Sequence, residues 1–184
     1  MAIGIRLKKA EEGYDPSRSK FFGDPTVPQG WEESFSEDTF FLCQINLEDL
    51  ASFEEAKVLP DKGYLYIFLD TEEGDYDLRP DVRYTAEDPE VIYDDFNGEV
   101  VDYEKFTEAY LMEFYETDDD ADGIRLFGVP SDWNYESEAP KMLLQYDPLD
   151  NESGFLDHLD GFLYFFFGKD ERDFDAITLM EEYS

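Results

Sequence analysis

The chain has 184 residues, enough for one domain with a substantial core or for two intimately packed halves. Its 48 acidic residues against 14 basic ones give a formal net charge of -34, while 42% hydrophobic and 17% aromatic content keeps it among globular rather than disordered sequences. A surface of that sign repels polyanions, which excludes nucleic acid and anionic membranes as partners; the densest basic cluster, Arg6, Lys8 and Lys9, is too small to reverse it.

Ile3 to Lys8 alternates apolar and polar residues, the period of a half-buried strand. Glu11 to Gly30 is rich in Gly, Pro, Ser and Asp and reads as irregular surface chain. Its stretch Ser19 to Pro28 is stiff and extended, suited to wrapping a sheet edge. Phe40 to Ile45 is an unbroken apolar run, the pattern of a strand buried on both faces. Asn46 then stands as an N-cap before a short helix over Leu47 to Ala51, and Leu59 to Gly63 forms a turn. Tyr64 to Leu69 is a strand, Val82 to Thr85 and Val91 to Tyr93 are two short ones, and Asn97-Gly98 is a hairpin turn leading into Val100-Val101. Tyr103 to Tyr115 fits helical and strand spacing alike, and both readings stand. Ile124 to Phe127 and a loop with Trp133 then lead to further strands expected at Met142 to Tyr146, Gly161 to Phe167 and Asp175 to Glu181.

The strongest regularity is internal. Phe41-Leu42-Cys43-Gln44 is followed 19 residues after its Gln by Gly63-Tyr64-Leu65-Tyr66-Ile67-Phe68. Leu143-Leu144-Gln145 is followed after 16 by Gly161-Phe162-Leu163-Tyr164-Phe165-Phe166. Gly23-Asp24-Pro25 approaches the first copy and Gly128-Val129-Pro130 the second. The acidic run Asp118 to Asp122 separates them. The expectation is a single α+β domain over residues 1–184, sheet-rich, with few short helices. It is built by internal duplication from two similar βαβ-like halves, at about 20–116 and 124–181.

Candidate chemistry is sparse. Cys43, the one cysteine, excludes an internal disulfide framework and reads as a small buried hydrophobe. The one histidine, His158, reads as a turn residue rather than a catalytic base, and Cys/His zinc sites are absent. Asp147, directly after a buried strand, and Asp150 are the carboxylate pair to inspect, against the plainer reading of turn capping. Asp118, Asp120 and Asp122 before Gly123 resemble the opening of a calcium loop. Val129 stands where that loop needs its bidentate Glu, so these three are weak metal candidates, and no metal or other cofactor is expected. Gln44 and Gln145 each end an apolar strand, so their buried amides must find partners. Either they tie the chain to the wrapping segments near Gly23 and Gly128, or with Asp147 they line a cleft between the halves. Trp31 and Trp133 read equally as core lids or as exposed binding anchors at that cleft.

Four blocks resemble the bacterial YwqG family, the domain of unknown function DUF1963. They are Ser19-Lys20-Phe21-x-Gly23-x-Pro25-x-x-Pro28; Phe41-Leu42-x-Gln44-Ile45-Asn46-Leu47; Leu59-Pro60-x-x-Gly63-x-Leu65; and Leu143-Leu144-Gln145-x-Asp147 with Gly161-x-Leu163-Tyr164-Phe165. Phe22 departs from the pattern, standing where the family usually has a second Gly. The resemblance implies a compact, duplicated, sheet-rich fold in a bacterial cytoplasmic protein, with no catalytic residues to carry over and a suspected place near toxin systems. No basic-then-apolar leader opens the chain and no apolar run approaches a membrane span, which agrees with a cytoplasmic setting. The functional expectation is a non-enzymatic acidic module that binds a basic protein, as an immunity protein does. Its rivals are a small-molecule or enzymatic site between the repeats, and acidity that serves solubility alone.

Overall fold

A computed structural model describes residues 1–70, 78–94, 96–97, 104–131, 133, 138–147 and 161–183. Among these residues twelve strands are formed: β1 (Ala2–Lys9), β2 (Lys20–Phe21), β3 (Thr26–Val27), β4 (Thr39–Asn46), β5 (Tyr64–Asp70), β6 (Arg79–Thr85), β7 (Val91–Ile92), β8 (Tyr110–Thr117), β9 (Arg125–Leu126), β10 (Met142–Tyr146), β11 (Gly161–Phe166) and β12 (Thr178–Tyr183). Ten of them make one sheet in the order β12-β11-β10-β9-β1-β8-β2-β4-β5-β6, and β3 pairs with β7 apart from it. The large sheet rolls up until its two ends meet as a nearly closed barrel. There the Tyr84 ring of β6 lies 5.8 Å from Phe174, in the turn just before β12.

Alternation decides which side chains fill the barrel. Ile3 and Ile5 of β1, Leu65, Ile67 and Leu69 of β5, and Leu163 and Phe165 of β11 point inward and are buried in the main core. On the opposite face of β5, Tyr64, Tyr66 and Phe68 stack in a ladder with centroids 6.3 and 6.2 Å apart. That ladder is covered by Val27, Trp31, Phe35 and Phe96. Both faces of β5 are therefore buried, which is why its sequence shows an apolar run and no polar alternation. Gly4 of β1 faces Tyr115 of β8, and a Cβ on Gly4 would sit 2.3 Å from the Tyr115 ring; the Arg6 guanidinium lies over the same ring at 5.1 Å.

The expected α+β class with βαβ-like halves is overturned. Every strand pairing among the described residues is antiparallel. Helical structure among them is confined to single 3-10 turns at Glu32–Ser34, Leu47–Leu50, Glu55–Val58, Glu104–Thr107 and Phe174–Ala176. A βαβ unit requires parallel strands joined by a long helical crossover. The Asn46 cap does form, its Oδ1 accepting from the Glu48 backbone N–H at 3.1 Å, but a four-residue turn with one apolar side cannot propagate. Between 104 and 117 the chain makes one 3-10 turn and then β8, because full pairing with β1 satisfies eight residues of backbone at once. The turn after Asn97 and the segment Val100-Val101 lie outside the described residues.

Connectivity across the middle of the sheet is crossed. β1 precedes β2 in the chain yet pairs with β9, and β8 precedes β9 yet pairs with β2. On either side of the β1/β8 junction the same succession follows: β2, β4, β5, β6 on one side and β9, β10, β11, β12 on the other. Each succession carries its irregularity at the same place, between Phe41 and Cys43 in β4 and between Met142 and Leu144 in β10.

Candidate functional site

The buried polar groups gather at the two tight turns that follow β2 and β9. Each turn bends through two successive residues with positive φ: Phe22 (56°) and Gly23 (72°) in one, Phe127 (64°) and Gly128 (81°) in the other. A phenylalanine is strained there. Phe22 is held by rings on several sides, with Phe106 at 4.9 Å and Phe40 at 6.1 Å, so packing fixes what glycine elsewhere makes easy. Phe22 N–H donates to Leu42 O at 2.9 Å and Phe127 N–H to Leu143 O at 3.2 Å, anchoring both turns on the bulged residues.

Beside the first turn lies Lys20, fully buried and paired in register with Gln44. Its Nζ donates to Pro16 O at 2.7 Å and Asp24 O at 2.5 Å, with the Tyr14 hydroxyl at 3.5 Å. Gln44 completes the knot: Oε1 accepts from Thr26 N–H at 2.9 Å, and Nε2 donates to Pro16 O at 3.0 Å and Arg18 O at 3.1 Å. Arg125 occupies the matching place beside the second turn, paired in register with Gln145. Its Nε donates to Ala121 O and one terminal nitrogen to Phe127 O, both at 2.7 Å, while the other reaches Val129 O and Gln145 Oε1. Gln145 Oε1 also accepts from Ser131 N–H at 3.1 Å, and its Nε2 donates to Gly123 O at 2.8 Å. Each pair of a cation and an amide thus ties a wrapping segment to the sheet by saturating carbonyls that the turn leaves unpaired. Asn97, which the sequence reading takes only as a turn residue, works alike: it is buried and brackets Phe41, accepting from its N–H at 2.9 Å and donating to its carbonyl at 3.1 Å.

Burial lowers the Lys20 pKa to about 8, with Asp24 and Asp15 pulling the other way. The unfolded chain therefore binds more protons than the folded one between about pH 8 and the ordinary lysine value of 10.5, so this group makes stability rise with pH across that window. Below pH 8 the desolvation cost is present in full. Urea midpoints should show wild type gaining about 2 kcal/mol relative to Lys20→Met from pH 8 to 10. A pH-independent difference would contradict a desolvated ammonium. Burial also lowers the Arg125 pKa, opposed by Tyr164 and by Asp120, Asp119 and Asp122, and raises that of the Cys43 thiol, which suits the latter's place inside β4 rather than a nucleophile's. The Tyr66 hydroxyl is buried without a hydrogen-bond partner among the described residues, and burial pushes its pKa up. Tyr66→Phe should therefore stabilise the protein by about 1 kcal/mol in the same assay; a loss would reveal a partner for that hydroxyl.

The remaining candidates are dispersed. Gln44 on β4 and Gln145 on β10 are separated by four strands, β2, β8, β1 and β9. Trp31 lies edge-on over Tyr66 at 5.3 Å, and Trp133 lies edge-on to Phe166 at 6.1 Å, each over the outer face of its own half. Asp147 is buried directly after β10, while Asp150 and His158 lie outside the described residues. Asp118, Asp120 and Asp122 follow β8, and no three Asp, Glu, His or Cys residues converge to hold a metal ion among the described residues.

The open spaces lie elsewhere. A cavity of about 470 Å³ sits beneath the Leu47–Leu50 and Glu55–Val58 turns, lined by Leu50, Phe53, Leu59 and Arg172 among others. A polar recess of about 380 Å³ lies between Asp15, Arg18, Asn46 and Asp49. A cleft of about 610 Å³ follows the line where the sheet's ends meet, between Asp81 to Tyr84 of β6 and Arg172 to Asp175 before β12, with Trp31 and Ser34 at its rim. At that cleft Arg83 is clamped by Asp81, with N–O distances of 3.0 and 2.7 Å, and its guanidinium lies over Phe35 at 4.4 Å and Trp31 at 5.5 Å.

A protein-family model described as a domain of unknown function, DUF1963, matches residues 19–173. The chain belongs to that family. The match begins at Ser19, beside the buried Lys20, and takes in both turn anchors of this DUF1963 domain. No curated protein matches it.

Proposed function

We propose that this DUF1963 protein is a non-enzymatic acidic binding module of the bacterial cytoplasm, acting on a basic protein partner as an immunity protein does. One observation carries the reading. Of the 14 basic residues, Lys20 and Arg125 are withdrawn into the interior to hold backbone carbonyls, and Arg83 is clamped by Asp81. Lys9, Lys57 and Lys141 are each matched to a glutamate at the surface. These six cations are therefore engaged by the protein's own groups, the exposed remainder is dominated by carboxylates at a net charge of -34, and such a field speeds encounter with a cationic surface. Gln44 and Gln145, the amides named as candidates for a cleft between the halves, are engaged by the protein's own turns.

Two further readings belong to the proposal. The four motif blocks favour placing the chain with YwqG-type members of the family. The matched successions of strands, bulges and turn anchors favour descent from a duplicated unit whose first strands have exchanged places across the β1/β8 junction.

Affinity capture from native bacterial cytoplasm, with an unrelated bait of equal net charge run in parallel, tests the binding reading. A basic protein enriched on this bait over the control supports it. Equal recovery on both baits, or no basic protein at all, would leave the acidity to solubility and turn attention to ligands of the cavities.

A further inference from the structure

The sheet of ten strands rolls almost shut, yet among the described residues its end strands do not pair. Among them β6 makes its ladder with β5 alone and β12 with β11 alone, although Tyr84 and Phe174 bring the two ends to a 5.8 Å ring contact. An unpaired strand end offers a row of backbone donors and acceptors to any extended chain. Pro80 lies in β6, as proline in a sheet is confined to edges, and leaves Asp81–Thr85 as the usable run. The 610 Å³ cleft opens beside that run and falls within the size that takes a short ligand, ~300–1,000 Å³. Acids outnumber arginines along it. Residues 79–90 carry four acids and two arginines, and residues 170–182 carry six acids and one arginine, together a denser acidic excess than in the chain as a whole. Asp173 and Asp175 are exposed at the rim, with the Trp31, Tyr84 and Phe174 rings beside them. Arg83 demonstrates what this lining holds well, a guanidinium between a carboxylate and aromatic faces.

We propose that the seam between β6 and β12 is a strand acceptor: an extended basic segment of the partner lies along β6, continues its ladder through backbone hydrogen bonds, and places its cationic side chains against Asp173, Asp175 and the neighbouring rings. This rests on the acidic-binding reading above and locates it on the surface. Pairing through the backbone supplies affinity and the alternate side chains supply the preference for positive charge.

The test uses the full chain and two labelled ten-residue peptides of alternating valine and lysine, one unmodified and one N-methylated at every backbone nitrogen. Both carry the same charge, and only the first can complete a strand ladder. At low salt the unmodified peptide should bind at least about tenfold tighter by fluorescence anisotropy, a difference two or three lost backbone hydrogen bonds can carry, and should slow amide exchange at Asp81–Thr85. Asp173→Asn with Asp175→Asn should weaken it about fivefold, the scale of two partly exposed charge contacts. Asp118→Asn with Asp120→Asn removes the same charge beside the middle strands, opposite the seam, and should leave it nearly unchanged. Equal affinity for the two peptides, or equal loss in the two double variants, would overturn the seam while leaving general acidic binding intact. Binding of neither peptide would overturn the seam as well, and the capture experiment would then decide the broader reading separately.

Discussion

Arg125→Met is expected to lower the unfolding free energy by about 3 kcal/mol. The side chain is fully buried, and its loss leaves Ala121 O, Phe127 O, Val129 O and one share of Gln145 Oε1 without donors. A buried acceptor left unpaired costs about 1–3 kcal/mol, so four would cost more than 3 if none found water. The relief of no longer burying a charge offsets part of that, and the net loss stays large. Lys20→Met removes fewer bonds, two to carbonyls and a long one to Tyr14, and relieves an ammonium that burial already disfavours. Its cost should be smaller near neutral pH. Urea denaturation of both variants checks the order; a Lys20→Met protein less stable than Arg125→Met at pH 7 would contradict the view that the guanidinium is the stronger tie. Arg125→Lys should fall between wild type and Arg125→Met, because one ammonium cannot reach every acceptor of the planar fork.

Gly63→Ala carries the second large effect. Gly63 opens β5 with φ of 93°, and a Cβ there would lie 2.2 Å from the Thr85 carbonyl oxygen and 3.0 Å from Ala86 Cα. Backbone on both sides must move, at the place where β5 pairs with the end of β6. Gly30 separates this clash from the torsional penalty, for it has almost the same φ, 92°, and nothing within 4 Å of the place a methyl group would take. Gly30→Ala should cost about 1 kcal/mol, the left-handed backbone alone, and Gly63→Ala at least about 3. Thermal melts of the pair measure the difference; equal shifts would mean that the β5–β6 junction yields more readily than its geometry implies.

Much of the sheet is legible because its strands are written as apolar runs. Phe40 to Ile45 and Tyr64 to Leu69 fall inside β4 and β5, and the paired motifs Gly23-x-Pro25 and Gly128-x-Pro130 fall at the two matching turns. The class is not, because signals that open helices, such as the Asn46 cap, say nothing of how far a helix runs; the chain uses them for single 3-10 turns between antiparallel strands. The crossing of β1 and β8 leaves no local trace, since strand exchange alters which residues pair and not which residues form strands. Neither Lys20 nor Arg125 is legible as a buried cation, because the acceptors are backbone carbonyls, which every residue carries and no side-chain pattern announces. Gln44 and Gln145 stand out through their place at the end of apolar runs, a signal that marks a buried amide without saying what it bonds. The cleft at the seam has no signature in the chain: it exists only because residues 81–84 and 172–175 meet when the sheet rolls up.

Interior polar groups hold the barrel's turns, which leaves the acidic exterior as the surface proposed to recognise a basic protein. Capture on this protein as bait, eluted through rising salt and read by mass spectrometry, bears on that most directly. Exposed charges lose most of their mutual attraction once the screening length falls to ~3 Å near 1 M salt. A basic partner retained at low salt and released as the salt rises is the predicted result. A partner of no net positive charge, or one whose retention is indifferent to salt, would contradict it.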